Sequence, residues 1–202
     1  MERIFIFIKH YFIFLWTIID WINGKLFQWF FKSDLETVLP FVIEKYHSEP
    51  FFYRKLHISD ITELFKLIES QPREDLKYFS PHRFDITSLN AQIKKPAFLM
   101  MGTFADQKMV GYFFLRFFAN RKCFVGRLID KEYRGKGIGY EMNKIMYNTA
   151  WEMGFRCLST ISKNNKSVMG AHAKNSAMIV LKELQNDYLL VEFIDNKSRL
   201  IG

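Results

Sequence analysis

Cysteine is nearly absent: Cys123 and Cys157 are the only two in 202 residues, which excludes a disulfide framework and any zinc-type cysteine spacing. That usage fits a reducing compartment. The remaining metal-binding vocabulary is equally thin. His10, His47, His57 and His82 are scattered without paired ligand spacing, so no metal is expected. No internal repeat and no low-complexity segment interrupts the chain. A long hydrophobic run is also missing. Although residues 1–31 are rich in bulky apolar side chains, the longest stretch there without formal charge is His10 to Ile19. A membrane-spanning helix needs roughly 17–25 apolar residues, so crossing is excluded. No small-residue cleavage site of the Ala-x-Ala kind follows, which argues against a signal peptide.

What is present suits a packed domain. Hydrophobic residues make up 49% and charged residues 25%, and 22 phenylalanines dominate the aromatics; that is enough apolar surface to bury a core. Lys plus Arg exceed Asp plus Glu by 8. The excess lies after residue 50, where 24 basic side chains face 15 acidic ones and give about +9. A basic domain suggests a polyanionic ligand: nucleic acid, an acidic membrane or a phosphorylated cofactor. With no basic helix and no interleaved aromatic pattern, no nucleic-acid partner is expected.

On a helical wheel, Glu2, Lys9, His10, Thr17, Asp20, Asn23 and Gln28 fall in one arc, and Ile4, Ile8, Tyr11, Leu15, Ile18, Ile19, Ile22, Leu26 and Trp29 fill the opposite face. Ile13, Trp16 and Phe27 share the polar arc, and Lys25 sits at the apolar rim. Three readings fit residues 1–31: an interfacial membrane helix, an oligomerisation helix, or a helix folded back on its own domain. Wide aromatic faces favour the first. Ser33-Asp34-Leu35-Glu36 has the capping-box pattern of a second helix start. Pro40 and then Ser48-Glu49-Pro50 punctuate that helix, dividing the chain into an extension over residues 1–50 and a domain over residues 51–202.

From residue 51 the elements alternate. A strand (51–58) precedes a helix carrying Ile61, Leu64, Phe65 and Ile68 on one face, and a second helix covers 86–94. Three aromatic-rich strands follow at 97–104, 109–118 and 123–129, then a glycine-rich turn and a helix over 138–153 with Met142, Ile145, Met146 and Ala150 on one face. A strand (157–162), a short helix (165–174) and two strands (178–184, 188–194) complete the order.

The glycine-rich turn, Asp130-Lys-Glu-Tyr-Arg-Gly-Lys-Gly-Ile-Gly-Tyr140, lies between a strand and a helix. Backbone N–H groups without intrahelical partners gather there and favour anions, and glycine lets a phosphate approach the backbone. A P-loop pattern is absent, and the dinucleotide fingerprint fails at Tyr140. Arg-x-x-Gly-x-Gly, starting at Arg134, fits.

Arg134-Gly135-Lys136-Gly137-Ile138-Gly139 resembles motif A of the GNAT superfamily, the acyl-CoA-dependent N-acetyltransferases, and the element order of residues 51–202 resembles that family's. Asn165, His172 and Lys174 also keep the family's spacing of Asn, then Tyr or His seven residues on, then Lys. Ser176-Ala177 depart from the Gly-Phe that usually follows. The resemblance implies an α/β fold with a GNAT-type mixed central sheet flanked by helices, here with an N-terminal amphipathic helical extension. It implies acetyl-CoA as acyl donor, a small amine as acceptor, and no metal. Gly135 to Gly139 would hold the diphosphate, with Arg134 and Lys136 adding charge. Ile129 and Lys131 would offer backbone groups to the pantetheine arm, and Asn165 would contact the pantetheine or adenosine side. His172 would protonate the leaving thiolate.

For the general base, Asp130 and Glu192 are candidates by location, and a water chain could serve instead. Cys123 is read as a buried structural thiol, and Tyr112, Phe113, Phe117 and Phe118 as core residues. The chain is similar to acetyltransferases of bacterial surface-polysaccharide gene clusters, which implies an amino sugar as acceptor. The expected location is the cytoplasm, peripherally at the inner face of the membrane, or a homo-oligomer assembled through residues 1–31. A scaffold that binds CoA without turnover is the alternative.

Overall fold

Strands buried on one face or on both are followed by helices with one buried stripe, and such elements stack into layers around a sheet. The computed structural model describes residues 13–172 and 177–195. Two helices lead: α1 (Ile13–Phe30) and α2 (Lys32–Tyr46). After β1 (Phe51–Lys55) come α3 (Ile61–Glu69), the short α4 (Arg73–Leu76) and α5 (Ile86–Gln92). The meander β2 (Phe98–Ala105), β3 (Lys108–Phe118) and β4 (Lys122–Ile129) follows. Then come α6 (Ile138–Glu152), β5 (Arg156–Ser162), α7 (Lys166–His172), β6 (Met178–Glu183) and β7 (Tyr188–Phe193).

The seven strands form one sheet in the order β1-β2-β3-β4-β5-β7-β6. All pairs are antiparallel except β4–β5. Alternation along the strands builds two cores. Leu99, Met101, Phe113, Leu115, Phe117, Cys123 and Val125 face α6, whose Met142, Ile145, Met146 and Ala150 are buried as the 3.6-residue period predicts. Phe98, Met100, Tyr112, Phe114 and Leu128 face the other way, toward Leu64, Leu67 and Ile68 of α3 and Leu89 of α5. Cys123 and Cys157 are free, fully buried neighbours across the parallel strands, and burial raises both thiol pKa values well above normal.

Two local expectations are corrected. The capping box at Ser33 does not form: α2 starts at Lys32 after Phe31, with no side-chain cap, and the Ser33 carbonyl accepts from Thr37. Burial of Phe31, edge-on to Phe155 at 4.9 Å, sets the corner instead. Pro40 lies inside α2 without ending it. Of the open readings for α1, the helix lies against its own domain, but not by its apolar face. Part of its polar arc packs on the domain: Asp20 pairs with Lys95 (2.7 Å) and Arg116 (3.1 Å), while Thr17 and Gln28 stay exposed. Burial raises the Asp20 pKa, but the bonds and charges of Lys95 and Arg116 outweigh it, and the net shift is downward. Asn23 donates to the Phe117 carbonyl and accepts from the Ala119 N–H, both at 2.9 Å. Phe27, 1% exposed, stacks on Phe117 at 4.9 Å. The apolar face looks outward, with Ile22 45% and Trp29 80% exposed. Residues 1–12 of the wheel lie outside the described residues.

Removing Phe27 tests this packing. Phe27→Ala is expected to cost about 3–5 kcal/mol, the range for emptying a large aromatic site. In urea unfolding the whole-chain midpoint should fall. An unchanged midpoint would show that α1 does not share the core.

Candidate active site

Parallel pairing between β4 and β5 is brief. It covers Lys122↔Arg156, Cys123↔Cys157 and Phe124↔Leu158, and then the strands part. At the parting the Ser159 hydroxyl donates to the Val125 carbonyl (2.9 Å). Beyond it, β4 runs to Ile129 with a free edge toward β5. The Asp130 N–H is directed to Val110 of β3, so alternation turns the N–H and C=O groups of Arg127 and Ile129 into the slot.

The glycine turn stands at the mouth of this slot. Gly135 and Gly137 have φ of +77° and +87°, the left-handed region, and a Cβ on either would meet nothing within 4 Å. Gly137 caps α6, and the first intrahelical bond is donated by Tyr140 to the Gly137 carbonyl. The N–H groups before Tyr140 therefore point off the helix end, where an anion is favoured. Gly139 serves a different purpose. A Cβ there would lie 3.1 Å from Ile129 Cδ1 and 3.2 Å from Arg127 Nε, so this glycine makes room for β4 side chains rather than for a phosphate.

The cations around the turn divide. Lys136 is exposed, with its Nζ 4.4 Å from the Tyr133 ring centroid. Arg134 is engaged elsewhere: it donates to Asp75 (2.8 Å), to Gln71 (3.3 Å) and to the Ile129 carbonyl (3.3 Å). It thereby ties the turn to α4. Lys131 is exposed in the short 3-10 turn Lys131–Tyr133, and Ile138 is buried in the core under α6.

The two candidate bases are both held in ion pairs. Asp130 is buried, accepts from the Glu132 N–H and lies 3.4 Å from Lys108 Nζ. Glu192 accepts from Arg156 at 2.8 and 2.6 Å beside Leu158, at the closed end of the sheet. Asn165 accepts from the Val168 N–H (3.1 Å) and so caps α7. His172 is the last residue of α7; its side chain and Lys174 lie outside the described residues. Among the described residues, no group of three His, Cys, Asp or Glu side chains is placed to hold a metal.

A pair that the sequence pattern passed over lies on the opposite face of β4. The loop between α4 and α5 brings His82 Nε2 to 2.8 Å from the Tyr112 hydroxyl, and His82 Nδ1 to 2.9 Å from the Arg83 carbonyl. Nδ1 carrying the proton satisfies the carbonyl and leaves Nε2 to accept from Tyr112. Burial lowers the His82 pKa and raises that of Tyr112. Tyr112 pairs in register with Leu128, and Phe79 of the same loop approaches Gly126. The pair therefore flanks β4 where the slot begins.

A strand-to-helix glycine cradle beside a slot between parted parallel strands is the geometry of an acyl-CoA site, and the comparisons agree. The model of the Acetyltransferase (GNAT) family matches residues 58–176. The chain belongs to the GNAT family. Solved GNAT structures share its fold at low identity. PaiA N-acetyltransferase from Thermoplasma acidophilum, in complex with coenzyme A, is 18% identical over 72% of this chain and 99% of that one, with a TM-score of 0.61. The ribosomal-protein-S5-alanine acetyltransferase of Vibrio fischeri is 17% identical over 74% and 96%, at 0.62. An acetyltransferase of Salmonella typhimurium that modifies the N-terminal serine of ribosomal protein L7/L12 is 15% identical over 73% and 97%, at 0.57. No curated protein matches significantly. Acetyl-CoA fits the GNAT cradle because the space above Gly135 and Gly137 is open.

The cradle can be tested by filling it. Gly137→Asp sets a carboxylate where a diphosphate would lie and adds a side chain at φ +87°. Calorimetry with CoA should show affinity falling by about 10²-fold or more, the scale of a lost charge-assisted contact plus repulsion. Unchanged affinity would move the diphosphate elsewhere.

Proposed function

We propose that this protein transfers an acetyl group from acetyl-CoA to the amine of an amino sugar in surface-polysaccharide synthesis, while resting on a membrane surface through α1. The observation that carries the acyl-transfer part is the slot, which parts beside the glycine cradle and faces the His82–Tyr112 pair across β4. Backbone N–H groups from Lys136 to Gly139 bind the diphosphate, with Lys136 adding charge, and Ile129 and Lys131 line the path of the arm. Asn165, at the start of α7, bounds the far side. The half-buried rings of Phe79 and Phe84, which pack beside His82, supply apolar faces of the kind that suit a pyranose. Thiol release over a panel of amino sugars, set against peptides with N-terminal Ser or Ala, tests the acceptor. CoA binding without release for any amine would favour the scaffold alternative.

The amine must be neutral to attack. The proton it sheds passes through water to Tyr112, which is itself fully buried, as Tyr112 passes its own to His82 Nε2; the new C–N bond forms as the C–S bond breaks, and the electron pair leaves on sulfur. His172 then protonates the thiolate. Because burial depresses the His82 pKa below the ordinary 6.5, the ring is neutral at pH 7. Activity should fall as the ring gains a proton below that value. Folding stability follows the same sign, complete above pH 6.5 and declining below it as the unfolded chain takes up the proton first. His82→Gln, which can bond Tyr112 but not take its proton, should lower kcat about 10²–10⁴-fold and remove the acid limb of the pH profile. His172→Phe should lower kcat in the same range with acetyl-CoA affinity kept. Activity within about twofold of the unaltered enzyme in either variant would reassign that role.

The membrane part is supported by the outward apolar face of α1. Trp21, Ile22, Trp29 and Phe30 are exposed, Lys25 lies 5.9 Å from the Trp21 ring centroid, and Lys32 follows. A cavity of about 430 Å³, lined in part by Trp16, Trp21, Lys25 and Lys94, adjoins this face. Among the described residues no helix is long and apolar enough to cross a membrane, so the fitting mode is interfacial. The full chain should float with vesicles of phosphatidylglycerol and phosphatidylethanolamine. Trp29→Ser with Phe30→Ser should leave it in the dense fraction without altering CoA binding. A defined oligomer that ignores vesicles would assign the face to a second copy.

A further inference from the structure

We infer that the cavity under one flank of α1 is a binding site for the phosphate headgroup of an acidic phospholipid; this deepens the membrane-surface reading and rests on it. The cavity measures about 430 Å³ and lies between α1 and the segment joining α5 to β2. Its charged lining is one-sided. Lys25, Lys94, Lys95 and Arg116 line it, and Asp20 is the one carboxylate among the described lining residues. Asp20 pairs with both Lys95 and Arg116 and keeps them at the inner wall. Lys25 and Lys94 form no ion pair among the described residues, and both are exposed. A concave wall carrying a surplus of one sign focuses its field and attracts the opposite charge.

The walls are also aromatic. Trp16 and Trp21 line the same cavity. The Arg116 guanidinium lies 5.9 Å from the Trp16 ring centroid, and Lys25 Nζ lies 5.9 Å from that of Trp21. Each ring thus stands beside a cation. None of the described lining residues belongs to the glycine turn or to the slot between β4 and β5, so an anion bound here is not the diphosphate of CoA.

Position selects the source of the anion. At 100° per residue, Trp21, Lys25 and Gln28 fall between the inward Asp20 and Gly24 and the outward Ile22 and Trp29. The cavity therefore opens along one margin of the apolar face of α1. A bilayer that receives Ile22 and Trp29 sets its headgroup layer level with that margin. Trp21, 63% exposed, then lies at the depth that indoles favour, and Lys25 reaches the phosphates. Lys94, just beyond the end of α5, offers a second ammonium from the opposite wall. The phosphodiester sits between the two lysines and its acyl chains leave past Trp21. A soluble phosphate would use the lysines alone and leave the apolar margin bare.

Flotation of the full chain with two kinds of vesicle tests the site: phosphatidylcholine alone, and phosphatidylcholine mixed with phosphatidylglycerol. Partition should be at least about tenfold stronger onto the acidic vesicles. Lys25→Gln with Lys94→Gln should lose most of that gain, about fivefold for each lysine, with partition onto phosphatidylcholine and affinity for CoA unchanged. Lys55→Gln with Lys77→Gln removes the same charge away from the cavity and should cost less than about threefold. An equal loss in the two double variants would reduce the effect to net charge and overturn the site. Equal partition of the unaltered chain onto both vesicles would overturn it too, whatever the stability of the variants, and would leave the membrane contact standing. Calorimetric binding of glycerol phosphate without a preference for acidic vesicles would overturn it in favour of a soluble ligand. Partition onto neither vesicle would overturn the membrane-surface reading beneath it, a result distinct from equal partition.

Discussion

The parallel pairing of β4 with β5 stops at Phe124↔Leu158, and the site is arranged around that stop. Each strand needs a partner on both sides for its backbone groups, and β5 finds its second in β7 from Cys157 to Ser162. On the edge of β4 toward β5, Gly126 to Ile129 enter no ladder among the described residues, while their other edge pairs with β3. Such a run of backbone groups is tolerable where solvent, a ligand or a side chain completes the bonds, as Arg134 does for the Ile129 carbonyl. The crossover helix α6 holds the closed end together by burying Met142, Ile145, Met146 and Ala150 against both strands. The turn into that helix falls at the open end, so the anion cradle and the amide-lined slot are continuous. An extended ligand with a phosphate at one end matches both.

The glycines of the turn show how one motif divides its work. Gly135 and Gly137 combine positive φ with open space, a combination that serves a ligand. Gly139 faces inward onto Ile129 and Arg127, and its missing side chain brings α6 close to β4. The same closeness sets the Arg127 guanidinium against the first turn of α6.

Burial of polar groups explains the orientation of α1. A helix packed by its apolar face alone would leave Asp20 and Asn23 in water. Packed by the other face, Asp20 meets Lys95 and Arg116, Asn23 completes the backbone at the end of β3, and Phe27 and Phe31 still reach the core. The aromatics Trp21, Trp29 and Phe30 are left exposed, and α2 follows with Leu35, Leu39 and Val42 buried and Tyr46 donating to Asn148 (3.0 Å).

Local pattern by itself determined the order of the strands and longer helices after residue 50, the buried stripe of α6 and the glycine-rich turn between β4 and α6, because each depends on neighbours a few residues apart. Asn165 was legible as a special position, and its capping of α7 is a local event too. Only the tertiary structure decided which face of α1 is inside, since Lys95 and Arg116 are far away in sequence. It likewise decided that Asp130 and Glu192 are ion-paired and that His82 meets Tyr112. These are facts of long-range pairing: a charged or hydrogen-bonding side chain takes its character from its partner, and no periodicity along the chain encodes a partner that only folding brings near.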